Sequence, residues 1–220
     1  MKIAAIIPAL NEGADVGNVL KVLLESSDID EVILVDDGST DNTAEIGRNL
    51  GAKVISLPKK GGNGKANAMK EGVKSTDAEI IMFFDADLIG LSKEHVSLLL
   101  KPILEGKATM SVGVRGRYVG LPKLIIKIDP LLAIGGERAM KRFVFEKLSP
   151  EFVKGFAIEI GLNHYCKINK LPISYTTLKG LSMVIKEKKW GFWKGFLGRI
   201  KMIKQILKAR FISTRKVKYV

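Results

Sequence analysis

The segment Glu79-Ile80-Ile81-Met82-Phe83-Phe84-Asp85-Ala86-Asp87 decides how this chain is read. Five consecutive apolar residues bounded by polar ones form the pattern of a strand buried on both faces, as in a parallel sheet. Two carboxylates, one residue apart, stand where that strand leaves the sheet. In extended chain the residue between them points the other way, so Asp85 and Asp87 project from one edge. Paired hard oxygen donors at a strand end suit Mg²⁺ or Mn²⁺ carrying a diphosphate. Aspartate also commonly forms the turn after a strand, so the pair takes its meaning from its neighbours.

Those neighbours alternate between strand and helix. Strands are predicted over residues 2–8, 31–35, 53–57 and 80–84, and helices over 13–26, 41–50, 65–74 and 93–104. The helix at 13–26 carries Val16, Val19, Leu20, Leu23 and Leu24 on one face. Ser39 or Thr40 is the expected cap of the helix at 41–50, which Gly51 stops. Repeated β–α units of this length predict a parallel, doubly wound sheet with its ligand at the carboxyl ends of the strands. Beyond Leu121 the periodicity loosens, and helices with a mixed β edge are expected to build the acceptor side.

The polar motifs all fall at one end of that sheet. Pro8-Ala9-Leu10-Asn11-Glu12 follows the first strand, Asp36-Asp37-Gly38-Ser39 the second, and Asp85-Ala86-Asp87 the fourth. Asp37 suits a base N–H or a ribose hydroxyl, and Gly38 allows close backbone approach. Lys65, at the start of a helix behind Gly61-Gly62-Asn63-Gly64, would favour phosphate by charge and helix dipole together.

Composition narrows the field. With 220 residues, 46% of them hydrophobic, the chain can bury a substantial core. The single Cys166 excludes an internal disulfide and a cysteine-based zinc cluster, and suits a reducing compartment. No apolar run approaches the roughly 18 residues of a membrane span. The net charge of +13 is uneven: twelve Lys or Arg against the lone Glu187 place +11 of it in residues 186–220.

Taken together, Ile7-Pro8-Ala9-Leu10-Asn11-Glu12, Val35-Asp36-Asp37-Gly38-Ser39-Thr40-Asp41, Gly64-Lys65 and Phe84-Asp85-Ala86-Asp87-Leu88 resemble the signatures of family-2 glycosyltransferases of the GT-A fold. Among these the set is most similar to dolichol-phosphate mannosyltransferase-like and glucosyl-3-phosphoglycerate synthase-like enzymes. A weaker echo continues through Gly135-Gly136-Glu137-Arg138-Ala139 and Ala157-Ile158-Glu159-Ile160-Gly161. The resemblance implies a nucleotide-sugar donor linked through UDP or GDP, and Mg²⁺ or Mn²⁺ bound through Asp87 with help from Asp85. Donor contacts are expected from Pro8, Ala9, Asn11 and Glu12 after the first strand, and from Asp37 and Gly38 after the second. Lys65, Asp85 and Ala86 complete that set.

The chemistry expected of such a site is consistent. A nucleoside diphosphate leaving group needs cationic stabilisation, which Lys65 and an ion on Asp87 would supply. Glu159 is the candidate for orienting or deprotonating the acceptor. Arg115, Arg117, Arg138 and Arg142 are candidates to grip an anionic acceptor by forked hydrogen bonds. Relatives often carry a histidine as third metal ligand in the segment matching residues 179–189, where this chain has Met183 and no histidine. His95 is expected at the surface of its helix, and His164 in a structural role.

The tail is the second signal. Phe196, Leu197, Ile200, Ile203, Leu207 and Phe211 recur at helical spacing opposite Arg199, Lys201, Lys204, Lys208 and Arg210, behind Trp190, Phe192 and Trp193. A basic amphipathic helix with aromatic anchors suits an anionic membrane surface. Packing on the domain and homodimerisation are its other uses, and no nucleic-acid module accompanies it. The expectation is an α/β GT-A domain over residues 1–185 followed by an amphipathic tail over 186–220, cytoplasmic and peripheral at the inner face of the membrane. The first choice of acceptor is a polyprenyl or dolichyl phosphate, with a small anion such as a phosphoglycerate as the alternative. Readings from other classes are a nucleotidyltransferase and a catalytically silent nucleotide-sugar or partner-binding protein.

Overall fold

The computed structural model describes residues 1–58, 64–115, 136–149, 152 and 157–183. Arg117 and the tail expected at 186–220 lie outside the described residues, as does the domain boundary at 185.

A seven-stranded sheet runs through the molecule in the order β3-β2-β1-β4-β7-β6-β8. Its members are β1 (Ile3–Ala9), β2 (Glu31–Asp36), β3 (Lys53–Ser56), β4 (Ile80–Phe83), β6 (Met110–Arg115), β7 (Arg138–Lys141) and β8 (Ile173–Leu178). The pairs β1–β2, β2–β3, β1–β4 and β6–β8 are parallel. Strand β7 is antiparallel to both of its neighbours, β4 and β6, so it alone runs backwards. A second, two-stranded sheet pairs β5 (Leu88–Ile89) with β9 (Ser182–Met183) and ties the chain just past Asp87 to residues 182–183.

Alternation along the strands sends their side chains into two cores. Ala4, Ile6, Ile33, Val35, Ile81 and Phe83 face one layer, with Ala68, Met69 and Val73 of α3 (Gly64–Lys74) and Ile158 and Leu162 of α5 (Ala157–Ile168). Ala5, Ile7, Val32, Leu34, Ile80 and Met82 face the other. There they meet Val16, Val19, Leu20 and Leu23 of α1 (Val16–Leu24) and Val96, Leu99, Leu100 and Ile103 of α4 (Lys93–Leu104). The helices approach the sheet closely. A Cβ on Gly72 would run into Ile6 Cγ2, and one on Gly47 of α2 (Thr43–Asn49) into Leu34 Cδ2.

Two local expectations are corrected. Neither Ser39 nor Thr40 caps α2; the Thr43 N–H donates to Asp41 Oδ1 at 3.1 Å, while Ser39 and Thr40 are drawn to Asn11. His95 is buried at 6% exposure, not at the surface. It shares a capping box with Ser92 at the start of α4. Its Nδ1 accepts from the Ser92 N–H at 3.2 Å, and Nε2 lies 2.9 Å from the Lys179 carbonyl. Those partners assign the proton to Nε2. His95 therefore joins α4 to the turn between β8 and β9.

Candidate active site

The strand order reverses at β1: β2 lies on one side and β4 on the other, reached by chain that continues in opposite directions. Crevices at such a switch point, beyond the carboxyl ends of the strands, are where open α/β sheets take ligands. Reversal of β7 adds to this edge, because its first residue lies beside the last residue of β4 and the middle of β6. Phe83 pairs with Arg138, and Arg138 with Val112. One edge thus collects Ala9, Asp37, Asp85, Arg115 and Glu137.

The loops after β1 and β2 are fastened to each other. The Asn11 N–H donates to Ser39 Oγ at 2.9 Å, and Asn11 Oδ1 accepts from the Thr40 N–H at 2.8 Å. Glu12 N–H donates to Thr43 Oγ1 at 2.9 Å and Gly13 N–H to Asp41 Oδ2 at 3.0 Å. Gly38 has φ 85°, a left-handed turn that favours glycine. The Asp37 N–H donates to the Ala9 carbonyl at 2.9 Å. Its Oδ2 accepts from the N–H of Gly64, the first residue of α3, at 2.9 Å. Pro8 and Ala9 end β1, while Asn11 has its side chain committed to the neighbouring loop.

Beside these loops is an ionic cluster. Lys65 Nζ lies 2.7 Å from Asp85 Oδ1 and 3.0 Å from Glu159 Oε1. Arg115 donates from Nη2 to Asp85 Oδ2 at 3.1 Å and from Nε to Glu137 Oε2 at 3.1 Å, and Nη2 also meets Glu137 Oε1. Arg138 lies deeper, fully buried, with Nη1 3.4 Å from the Glu159 carbonyl. Three carboxylates, Asp85, Glu137 and Glu159, thus stand among three cations.

The balance sets the protonation states. Burial works against a charged Lys65, yet the charges of Asp85 and Glu159 outweigh it and hold the ammonium well above its usual range. Burial likewise opposes ionisation of Asp85, but Lys65 and Arg115 pull its carboxyl below the usual range. Glu137 is pushed up by burial and by the charge of Asp85. Arg138 is lowered by burial.

The expected site residues divide clearly. Lys65, Asp85, Glu159 and Arg115 meet in one cluster, and Glu159 is not a surface residue, at 2% exposure. Among the described residues its Oε2 is buried without a hydrogen-bond partner. Asp87 and Ala86 are buried between β4 and β5. Arg138 is fully buried, its Nη1 3.4 Å from the Glu159 carbonyl and 3.5 Å from Asn163 Oδ1, both in α5. Arg142 stands at the far end of β7, away from this cluster, bonded to Glu146 at 2.6 Å and to the Val73 carbonyl at 3.1 Å. His164 lies beside Phe152, its ring lowered in pKa by burial and Lys167. The Cys166 thiol is buried and pushed up to about 12.

The residue not foreseen is Glu137. It stands in the Gly-Gly-Glu-Arg segment, but strand–helix alternation does not reveal that one strand is reversed, and only the reversal brings Glu137 to this edge. No group of three or more His, Cys, Asp or Glu suited to a metal occurs among the described residues. One or two carboxylates completed by substrate phosphates and water are nevertheless an ordinary Mg²⁺ environment. Asp87, with Asp85 beside it, fits that donor set.

An open sheet with paired aspartates at its switch point is a nucleotide-binding α/β architecture of the GT-A type. The chain matches the glycosyl transferase family 2 model over residues 4–160, and it belongs to that family. It is 30% identical over 190 residues to glucosyl-3-phosphoglycerate synthase of Mycolicibacterium smegmatis, covering 73% of this chain and 62% of that protein. It is 39% identical over 123 residues to 4,4'-diaponeurosporenoate glycosyltransferase of Staphylococcus haemolyticus, covering 54% of this chain and 30% of that one. The chain thus spans less than two thirds of the length of either relative. Glucosyl-3-phosphoglycerate synthase of Mycobacterium tuberculosis, with Mn²⁺, UDP and glucosyl-3-phosphoglycerate, superposes with a TM-score of 0.70 at 28% identity, over 83% of this chain and 72% of that one. The same enzyme with Mn²⁺, UDP-glucose and phosphoglyceric acid gives 0.70 at 28% identity, over 83% and 71%. Another structure of it contains Mg²⁺ and UDP.

Among the described residues no helix is long and apolar enough to cross a membrane.

Proposed function

We propose that this chain transfers a glucosyl group from UDP-glucose to a small anionic acceptor of the phosphoglycerate class. The observation that carries this reading is the position of Lys65, a buried ammonium bridging the Asp85 carboxylate and Glu159 at the switch point. The tail alone favours a lipid phosphate. Similarity extending over 73% of the chain to a phosphoglycerate enzyme moves the preference to the small acceptor.

In this reading the bond from the sugar's anomeric carbon to the diphosphate breaks, and a bond to the acceptor oxygen forms. A divalent ion held by Asp87 and Asp85 would supply Lewis-acid charge to the departing diphosphate. Lys65 Nζ adds a fixed positive charge close by, kept protonated by its two carboxylates. Asp37, Gly38 and the turn from Pro8 to Glu12 take the nucleoside. Glu159 orients the acceptor hydroxyl and receives its proton on Oε2. Arg115 binds an oxyanion of the acceptor.

The test is turnover with UDP-glucose and 3-phosphoglycerate, for the full chain and for a chain ending at residue 190, beside polyprenyl phosphate in anionic vesicles. Glucosylated phosphoglycerate from both chains supports the proposal. Transfer only to the lipid phosphate, lost with residues 191–220, would replace it with the lipid reading.

A further inference from the structure

We propose that Glu137 is a positioning residue that aims Arg115, leaving, among the described residues, only the Nη1 edge of the guanidinium for an oxyanion entering the site. The inference rests on the reading of Arg115 as an oxyanion ligand given above. A guanidinium has five N–H donors in a rigid fork. The side-on pair, Nε and Nη2, is spent on Glu137, with Nε at 3.1 Å from Oε2 and Nη2 on Oε1. Nη2 also donates to Asp85 Oδ2 at 3.1 Å. Nη1 faces the Met183 sulfur, and a thioether is a weak acceptor that a phosphate or carboxylate oxygen would displace.

The ion pair has an inner and an outer half. The Glu137 side chain has no exposure, whereas that of Arg115 keeps 21%. The surrounding backbone leaves Glu137 little room to move. Its carbonyl accepts from the Gly113 N–H at 2.8 Å, and a Cβ on Gly113 would lie 3.1 Å from Glu137 Cβ. A side chain at Gly136 would run into the Asp85 carboxylate. Arg115 therefore cannot turn its bidentate side-on face to a ligand, because a buried carboxylate holds that face inward. It offers one edge, in one direction, beside Asp85 and Lys65.

The experiment compares wild type with Glu137→Gln, which keeps the shape but puts an amide N–H₂ against the fork, and with Glu137→Asp. The first readout is ¹⁵N NMR of arginine Nε–H groups with Mg²⁺ and UDP present, the Arg115 signal being identified by its absence in Arg115→Lys. The second is steady-state kinetics. The expected result is a distinct, slowly exchanging Arg115 Nε–H in wild type that is lost in Glu137→Gln. With it, KM for 3-phosphoglycerate rises about tenfold while kcat and KM for UDP-glucose stay within about twofold, and Glu137→Asp recovers part of the loss. An unchanged acceptor KM, or an equal loss for both substrates tracking a lower melting temperature, overturns the proposal. If wild type does not glucosylate 3-phosphoglycerate, it is the functional reading that fails. The NMR comparison then decides the positioning alone: loss of the Nε–H signal in Glu137→Gln upholds it, and persistence overturns it.

Discussion

At the scale of single residues, the cluster depends on charges that cannot be removed singly without consequence. Lys65 is shared by Asp85 and Glu159, so Lys65→Met keeps the bulk but leaves two carboxylates facing each other. Loss of one preorganised electrostatic donor of this kind is expected to lower kcat by about 10²–10³-fold. Steady-state kinetics beside circular dichroism would separate that loss from unfolding. Asp87→Ala is expected to abolish metal-dependent turnover and the thermal shift produced by Mn²⁺ with UDP. Undiminished turnover in this variant would rule out the metal-assisted scheme. His95 serves the neighbouring turn instead of the chemistry. His95→Ala removes an acceptor for the Ser92 N–H and a donor to the Lys179 carbonyl, at a cost of about 1–2 kcal/mol. Chemical denaturation would read that cost.

Secondary-structure elements show where sequence pattern suffices and where it does not. Helix α4 matches its prediction, residues 93–104, because an apolar stripe and a Ser cap coincide there. Strand β4 was legible as a continuous apolar run, and the meeting of Lys65 with Asp85 through their positions at element ends. Residues whose roles depend on non-local pairing were not legible. Arg138 and Arg142 look alike in sequence, yet reversed β7 buries one under the site and puts the other at the opposite edge. Glu137 became visible only with that same reversal. Ser39 and Thr40 resembled helix caps, but contacts with a loop 28 or 29 residues away claimed them. Gly72 and Gly47 stand inside continuous helices for a reason found in the sheet, where Ile6 and Leu34 leave no room for a Cβ. Gly72→Ala would push Ile6 aside, and the overpacking is expected to cost about 1–3 kcal/mol by urea denaturation, with retained fold.

For the whole molecule, ionic pairing gives stability a definite pH dependence. Burial opposes ionisation of Glu31 and Asp41, but Lys53 and Thr76 at Glu31, and Thr43 and the Gly13 N–H at Asp41, lower both carboxyls overall. Their stabilisation is present above the unfolded carboxylate range near about pH 4 and is lost as pH falls through the lower folded values. Glu137 carries the opposite sign. Raised in the fold, it favours the native state below its unfolded value and gives up that contribution as pH rises through its folded value. With more lowered groups than raised ones, the urea midpoint is expected to drop as pH is taken from about 6 to about 3. A flat midpoint across that interval would contradict the pairing described.

The strand order also has a consequence for how the chain is made. Strands β1 to β4 can zip together as soon as they are synthesised, since each pairs with a partner already present. The outer edge of β4 then waits, while β6 is produced without a place beside it, until residues 138–141 arrive to fill the gap. A bare strand edge is a template for pairing with another molecule. Chains stalled or truncated before β7 should therefore be the sticky ones. The strand that fills this gap also brings in Glu137 and Arg138, so the ionic cluster can be completed only after the edge of β4 has been covered.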